Sequence, residues 1–339
     1  MRNPGTVECQ LCPKYCHIPP GMSGDCRIRL NLDGKLIAST NGLPCSVHVD
    51  PIEKKPLFHF LPGTGILSAA TVGCNLHCTF CQNWSISQAN PEDVEAYPMS
   101  AAELAEVANQ QKTPSLALTY TDPVCWFEYT VDVCRAARDK GIKTVLVTAG
   151  YLNDAPLREL LPLVDAANVD LKAYSEDFYR DVCKGNLRPV LHALELCVEL
   201  GVWLEVTNLI VPTLNDDMGM IRKMCDWMRT TLGVDVPLHF SRFSPRYQLR
   251  NIPPTPGDTL EEARRVALDA GLRHVYMGNL LSRDGESTFC PNTACPERAT
   301  PLVSREGFTV TSNRLASGRC PSCGTAVAGV WDSGKGGAR

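Results

Sequence analysis

No run of apolar residues in this 339-residue sequence is long enough to span a bilayer. No apolar leader opens it either, because Pro4, Glu8, Cys9, Pro13 and Lys14 break up the first segment. Positive charge is not in excess: 33 Lys and Arg stand against 37 Asp and Glu, giving a net charge of −4. That leaves no basic surface on which to expect nucleic-acid binding. No solenoid repeat is visible. Together these absences predict a cytoplasmic protein with neither a membrane nor a nucleic acid as partner. Hydrophobic residues make up 44% of the chain, enough for an ordinary globular core.

What the chain does have is cysteine, 17 in all. In a long chain without a secretion signal, closely spaced cysteines point to metal rather than disulfides. Six of them, Cys45, Cys125, Cys134, Cys183, Cys197 and Cys225, sit mostly in apolar or helical contexts and read as small buried hydrophobes. The other eleven fall into three groups.

The middle group is Cys74-x3-Cys78-x2-Cys81. It follows a strand-like run, Ile66 to Val72, with Gly73 at the turn. Three thiolates in so short a loop can wrap one face of a [4Fe–4S] cubane and leave one iron open to a ligand. The plainer alternatives are a zinc loop, which wants a fourth ligand that does not follow nearby, or three unconnected buried thiols.

The first group, Cys9, Cys12, Cys16 and Cys26, lies in a segment with little apolar material to build a core. Such a segment needs a cross-link, and in a reducing compartment that is a metal. Zn2+ and an auxiliary iron–sulfur cluster would both use these four thiols, and the spacing leaves the two open. His17 is an alternate ligand or a polar loop residue. The last group, Cys290-x4-Cys295 and Cys320-x2-Cys323, brackets a strand-like Phe308 to Thr311 and has the form of a zinc ribbon. A closed Zn2+ site of four thiolates there would be structural. A disulfide pairing is the alternative, and the compartment disfavours it.

From Ile66 onward strand-like and helix-like runs alternate. Strands are predicted at 66–72, 115–120, 143–148, 166–171, 202–211 and 237–243, with a weaker one at 274–277. Helices are predicted between them, with capping boxes at Ser100 and Glu103 and at Thr259 and Glu262, Asp216 as a cap, and Gly141, Gly201 and Gly271 past three helix ends. Alternation at this interval means right-handed βαβ units. Chemistry in a barrel of such units sits at the C-terminal strand ends. The stretch Asp50 to Pro62 reads as a solvated connector packed on the barrel rim by Phe58 and Phe60; charges facing a substrate channel are the alternative.

The loop Cys74 to Cys81, with Phe80 before its last cysteine, resembles the radical S-adenosylmethionine (SAM) superfamily. Its continuation Gln82-Asn83-Trp84 is similar to the branch of glycyl-radical-enzyme activases. With Asp50 to Pro62, Asp170-Leu171-Lys172, His239 to Phe243 and the Cys-rich tail to Trp331, the chain most resembles the radical SAM enzymes of the AmmeMemoRadiSam system. The resemblance implies an α/β fold: an incomplete parallel (β/α)6 barrel with small Cys-rich modules at both ends. Residues 1–28 would be a metal-binding module, 29–64 a connector, 65–285 the barrel, 286–332 the zinc-ribbon-like module and 333–339 a disordered tail.

The resemblance also implies site residues. Cys74, Cys78 and Cys81 would ligate a [4Fe–4S] cluster, with SAM on the open iron, and Phe80 and Asn83 would lie at the cofactor. Asp122, in Thr119-Tyr120-Thr121-Asp122-Pro123, stands where the family carries a Gly-Gly-Glu-Pro-like motif that holds the SAM amino group; a helix cap is the plain alternative. Val147 and Ala149 depart from the activase pattern, which has Asp and Asn there. Asp170 and Lys172 match it, and Lys172 would meet the SAM carboxylate. Val211 would contact adenine, and His239 would contact SAM or shuttle a proton. Arg242, Arg246 and Tyr247 are candidates for substrate anions or a solvated surface group. A flavodoxin- or ferredoxin-like donor is the expected electron source. Three readings of function follow: an activase-like oxidoreductase acting on a protein, radical modification of a small metabolite or peptide, and a non-catalytic metal-binding adaptor.

Overall fold

Two small hairpins precede the alternating part of the chain. The computed structural model describes residues 4–332; the tail expected at 333–339 lies outside them. Strand β1 (Val7–Glu8) pairs antiparallel with β2 (His17–Ile18), and β3 (Arg29–Leu32) with β4 (Lys35–Ala38) across the Asp33-Gly34 turn. One eight-stranded sheet follows, made of β5 (Ser46–Pro51), β6 (Gly65–Ala70), β7 (Ser115–Leu118), β8 (Lys143–Thr148), β9 (Ala166–Asp170), β10 (Trp203–Ile210), β11 (Leu238–Arg242) and β12 (Val275–Gly278). A last hairpin joins β13 (Val303–Glu306) to β14 (Thr309–Asn313).

Strands β6 to β12 are parallel and adjacent in chain order, as successive right-handed crossovers require. The edges β5 and β12 do not pair, so the barrel is incomplete. The weak run at 274–277 becomes β12, a seventh parallel strand. Helices Ala101–Gln110, Phe127–Asp139, Leu187–Glu199 and Gly257–Asp269 bury one face each against the sheet. The Ser100–Glu103 capping box is formed, and Gly141, Gly201 and Gly271 take positive φ at helix ends. Two predicted caps shift. Thr259 lies inside its helix, which begins after Pro256. Asp217 rather than Asp216 caps Met218–Trp227, accepting the Met220 N–H at 2.6 Å.

The largest departure from expectation lies between residues 46 and 62. The connector supplies β5, which pairs antiparallel with β6. The stretch after it is not solvated: Asp50, Glu53, Lys55 and His59 are buried. Ile52, Leu57, Phe60 and Leu61 form a separate core with Ile66, Ala117, Val145 and Ala166 of the sheet. This segment therefore plugs the barrel. The C-terminal module is stitched to the plug. Leu61 and Val330 form a main-chain bond (N to O, 2.7 Å), the Val330 N–H reaches the His59 carbonyl (2.7 Å), and buried Arg305 donates to the Phe58 carbonyl at 2.6 Å.

The N-terminal module packs on the chain just after β6. Gly73 has φ +101°, and a Cβ there would lie 2.6 Å from Ile28 Cγ2 and 2.9 Å from the Cys26 carbonyl oxygen. Gly73→Ala is therefore expected to cost about 2–4 kcal/mol through strain and overpacking. The measurement is the urea midpoint, which must fall; a wild-type midpoint would contradict this packing.

Candidate active site and metal centres

The C-terminal ends of the parallel strands, the plug and the last hairpin enclose a cavity of about 400 Å³. That is room for a ligand of drug-like size. Cys74, Cys78, Phe80, Cys81 and Asn83 line it, together with Asp122, Asp170, Lys172 and His239. Nine of the ten residues expected at the cofactor thus meet in one place. The tenth, Val211, does not line the cavity. It is fully buried past the end of β10, with its N–H bonded to Asn215 Oδ1 at 2.6 Å, and Leu209, the preceding residue of the same parity, takes the lining position.

The three-cysteine loop is held by main-chain bonds. His77 N–H reaches the Cys183 carbonyl (2.9 Å) and Thr79 N–H the Val182 carbonyl (3.1 Å), both on the π-helical turn Tyr179–Cys183. Asn83 ties the other end of the loop to β7 through the Tyr120 carbonyl (2.7 Å). Burial pushes the Cys74 and Cys81 thiols up; at Cys78 the neighbouring Cys183 thiol, with burial, does the same. Thiolates so buried need a cation beside them, which the irons of a cluster supply. The three-thiol donor set fits a cluster with one open iron.

Asp122 is not a helix cap. Its oxygens accept from Thr148 Oγ1 (2.7 Å) and the Ala149 N–H (3.1 Å), clipping the ends of β7 and β8 together. Burial raises its pKa. Lys172 pairs with Asp170 at 2.9 Å, and its ammonium lies 5.8 Å from the centre of the Phe80 ring. Burial opposes the charge on Lys172, but Asp170 and the nearby Cys78 and Cys183 outweigh it and raise its pKa. His239 sits deeper, its Nε2 2.7 Å from buried Glu205, which also accepts the Phe58 and His59 N–H groups.

Sequence reasoning missed Glu205 and a trio at the plug. Glu205 lies in the middle of an apolar strand, where a charge needs a partner, and that was the available signal. In the trio, Asp50 binds Lys55 (2.7 Å) and accepts from the Tyr120 hydroxyl, and the Lys55 ammonium lies 4.1 Å from the centre of the Tyr120 ring. Burial lowers the Lys55 pKa to about 8. Arg242 is turned away from the cavity to the Thr255 carbonyl (2.9 Å), and neither Arg246 nor Tyr247 lines it.

At the C-terminus, Cys290, Cys295, Cys320 and Cys323 bring their sulfurs within 4.8 Å of one another, with Cys290–Cys323 at 3.6 Å and Cys295–Cys320 at 3.8 Å. This is a metal-binding set. The widened first pair does not prevent convergence. At the N-terminus, Cys9, Cys12, Cys16 and Cys26 line one small cavity.

A parallel barrel with a three-thiol loop and a half-buried Lys–Asp pair around one strand-end cavity defines a class of α/β metalloenzyme. The radical SAM superfamily model matches residues 69–228. The chain is 43% identical over 323 residues to the uncharacterized protein MJ0808 of Methanocaldococcus jannaschii, covering 95% of each. It is 22% identical over 216 residues to the pyruvate formate-lyase-activating enzyme of Clostridium pasteurianum, covering 60% of this chain and 88% of that protein. The solved structure of SuiB from Streptococcus suis is similar in fold, with a TM-score of 0.50 at 13% identity over 67% of this chain and 52% of that one. The chain belongs to the radical SAM superfamily and is related to glycyl-radical-enzyme activases. Membership implies SAM and an iron–sulfur cluster as cofactors. No helix among the described residues is long and apolar enough to cross a membrane.

Proposed function

We propose that this protein is a radical SAM enzyme whose [4Fe–4S] cluster is held by Cys74, Cys78 and Cys81. The observation that carries the reading is the convergence of these thiols and the Asp170–Lys172 pair on one cavity. When bound there and reduced, the cluster supplies the electron that splits SAM into methionine and a 5′-deoxyadenosyl radical, which takes a hydrogen atom from the substrate.

The chain's own residues bind, orient and shield. Lys172 meets the SAM carboxylate as a cation fixed by Asp170, with Phe80 beside it. Asp122 offers its remaining lone pairs to the SAM ammonium, whose arrival offsets the burial that now disfavours its charge. Asn83 anchors the end of the cysteine loop. His239, fixed through its Nε2 by Glu205, lines the cavity where it would contact SAM or the substrate. The plug and Phe308 of the last hairpin keep bulk water out. The electron comes from a flavodoxin- or ferredoxin-like donor in the cytoplasm. The four C-terminal thiols take Zn2+, since tetrahedral Zn–S bonds of about 2.3 Å set the sulfurs about 3.8 Å apart.

The relationship to a pyruvate formate-lyase-activating enzyme supports a protein substrate. A small metabolite or peptide, as the likeness to AmmeMemoRadiSam enzymes suggests, is favoured by a different observation: the last hairpin and the plug both wall the cavity, which narrows access. A purified candidate protein that gains a radical signal separates the two. For the SAM contact itself, Lys172→Met is expected to weaken SAM binding roughly 10- to 100-fold, the worth of one charged hydrogen bond. Iron content should not change. Undiminished affinity would remove Lys172 from the site.

A further inference from the structure

We infer that Cys9, Cys12, Cys16 and Cys26 hold a second four-iron cluster, not zinc, packed against the cysteine loop of the active site. A zinc ion draws four thiolates to about 3.8 Å from one another. The C-terminal set has that spacing already, at 3.6 and 3.8 Å. Among the described residues it is the only group in which three or more Cys, His, Asp or Glu ligand atoms lie within 4.8 Å of one another. The N-terminal thiols nevertheless converge on one cavity. They are gathered, but more widely than a single ion requires. Cys74, Cys78 and Cys81 line their own cavity, and they too fall outside the 4.8 Å grouping that the C-terminal set meets. A cubane interposes an iron–iron edge between each pair of its thiolates, so its ligands must stand further apart than those of a single ion.

The wall of the N-terminal cavity suits an anionic, sulfur-ligated group. Burial disfavours the thiolates of Cys9 and Cys12, and nearby main-chain N–H groups oppose it, those of Leu11 at Cys9 and Lys14 at Cys12, as the N–H groups of Ile28 and Arg29 favour the thiolate of Cys26. The Asn75 side chain, which lines the same cavity, also favours the thiolate of Cys12. Hydrogen bonds to sulfur are a main lever on the potential of an iron–sulfur cluster. Arg29 also lines the cavity. It is 4% exposed, and its Nε has no hydrogen-bond partner, although its Nη1 pairs with Glu128 at 2.8 Å. A buried guanidinium with a free N–H beside four thiols is set up for negative charge.

The site is also part of the active-site neighbourhood. Asn75 immediately follows Cys74, and it lines the N-terminal cavity. Cys125 lines it too. This buried thiol lines the cavity with Cys26, lies close enough to feel the charge of Cys74, and comes three residues after Asp122. One loop therefore borders both metal sites, and electrons entering the second cluster would arrive next to the first.

The test uses the full chain with Cys74, Cys78 and Cys81 replaced by Ala, reconstituted anaerobically. The expected result is one four-iron cluster's worth of iron and acid-labile sulfide, with visible absorption that dithionite bleaches, and zinc for one site. Zinc for two sites and no iron would overturn the inference. A second variant, Cys12→Ser with Cys16→Ser in the otherwise wild-type chain, should lose half of the wild-type iron; unchanged iron would overturn it equally. If the triple variant does not fold, wild-type iron decides, twice a single cubane supporting the inference and one cubane opposing it. None of these readings depends on SAM chemistry. Wild type with twice a cubane's iron that never splits SAM would keep the second cluster and remove the proposed function.

Discussion

Replacing Cys74, Cys78 and Cys81 together by Ala is expected to lower reductive SAM cleavage to the level of a protein-free control. The reason is geometric. These thiols line the cavity beside the Asp170–Lys172 pair, and the nearby thiol Cys125 faces the N-terminal cavity instead. Cys183 is a further thiol that interacts with Cys78. It is a single buried thiol at the end of the π-helical turn, with its main chain bonded to His77, and one sulfur cannot replace three ligands. The barrel itself should survive, because its main core is built from the strands and helices. Circular dichroism should match wild type while cluster iron and 5′-deoxyadenosine disappear together. Cleavage that persisted in the triple variant would show that these cysteines do not hold the cluster.

The second large effect is expected far from the cysteine loop. Replacing Cys320 and Cys323 by Ser should release the C-terminal metal, lower the melting temperature by about 10 °C or more, and reduce SAM turnover. Besides its cysteines, the module's buried hydrophobic residues are few, Leu302, Val303 and Val327, so metal must supply much of its folding energy. The same module carries Arg305, Ala328 and Val330, which bind Phe58, His59 and Leu61 of the plug. His59 also reaches the Tyr276 hydroxyl of β12. Loosening the ribbon thus frees the plug, and the plug backs Glu205, which orients His239. Unaltered melting and turnover would make the module an appendage, contrary to the bonds that stitch it to the barrel.

Local patterns made most of this legible in the sequence. Strand–helix alternation gave the parallel sheet, and the Asp170-Leu171-Lys172 motif marked two residues that both line the cavity, Asp170 at the end of β9 and Lys172 just beyond it. Clustered cysteines marked the metal-binding set at the C-terminus, which the structure brings together. What could not be read depended on partners distant in the chain. Glu53-Lys54-Lys55 looks like a solvated charge run until Asp50, Tyr120 and Arg305 are seen to surround it. Arg305 is 252 positions from Glu53, and no window along the sequence joins them. Val211 shares the parity of Thr207 and Leu209, but β10 ends at Ile210, so alternation no longer aims it at the cavity. Asp122 carries a cap-like sequence context, yet its carboxylate is taken by β8, a contact only the tertiary fold creates.

The central claim is tested most directly by giving anaerobically reconstituted wild-type protein SAM and dithionite and measuring 5′-deoxyadenosine and methionine together. Both are expected to accumulate in equal amounts, and only when the cluster is reduced. A protein that carries its cluster, binds SAM in a titration and yet forms neither product would contradict it, leaving the non-catalytic adaptor as the reading of this chain.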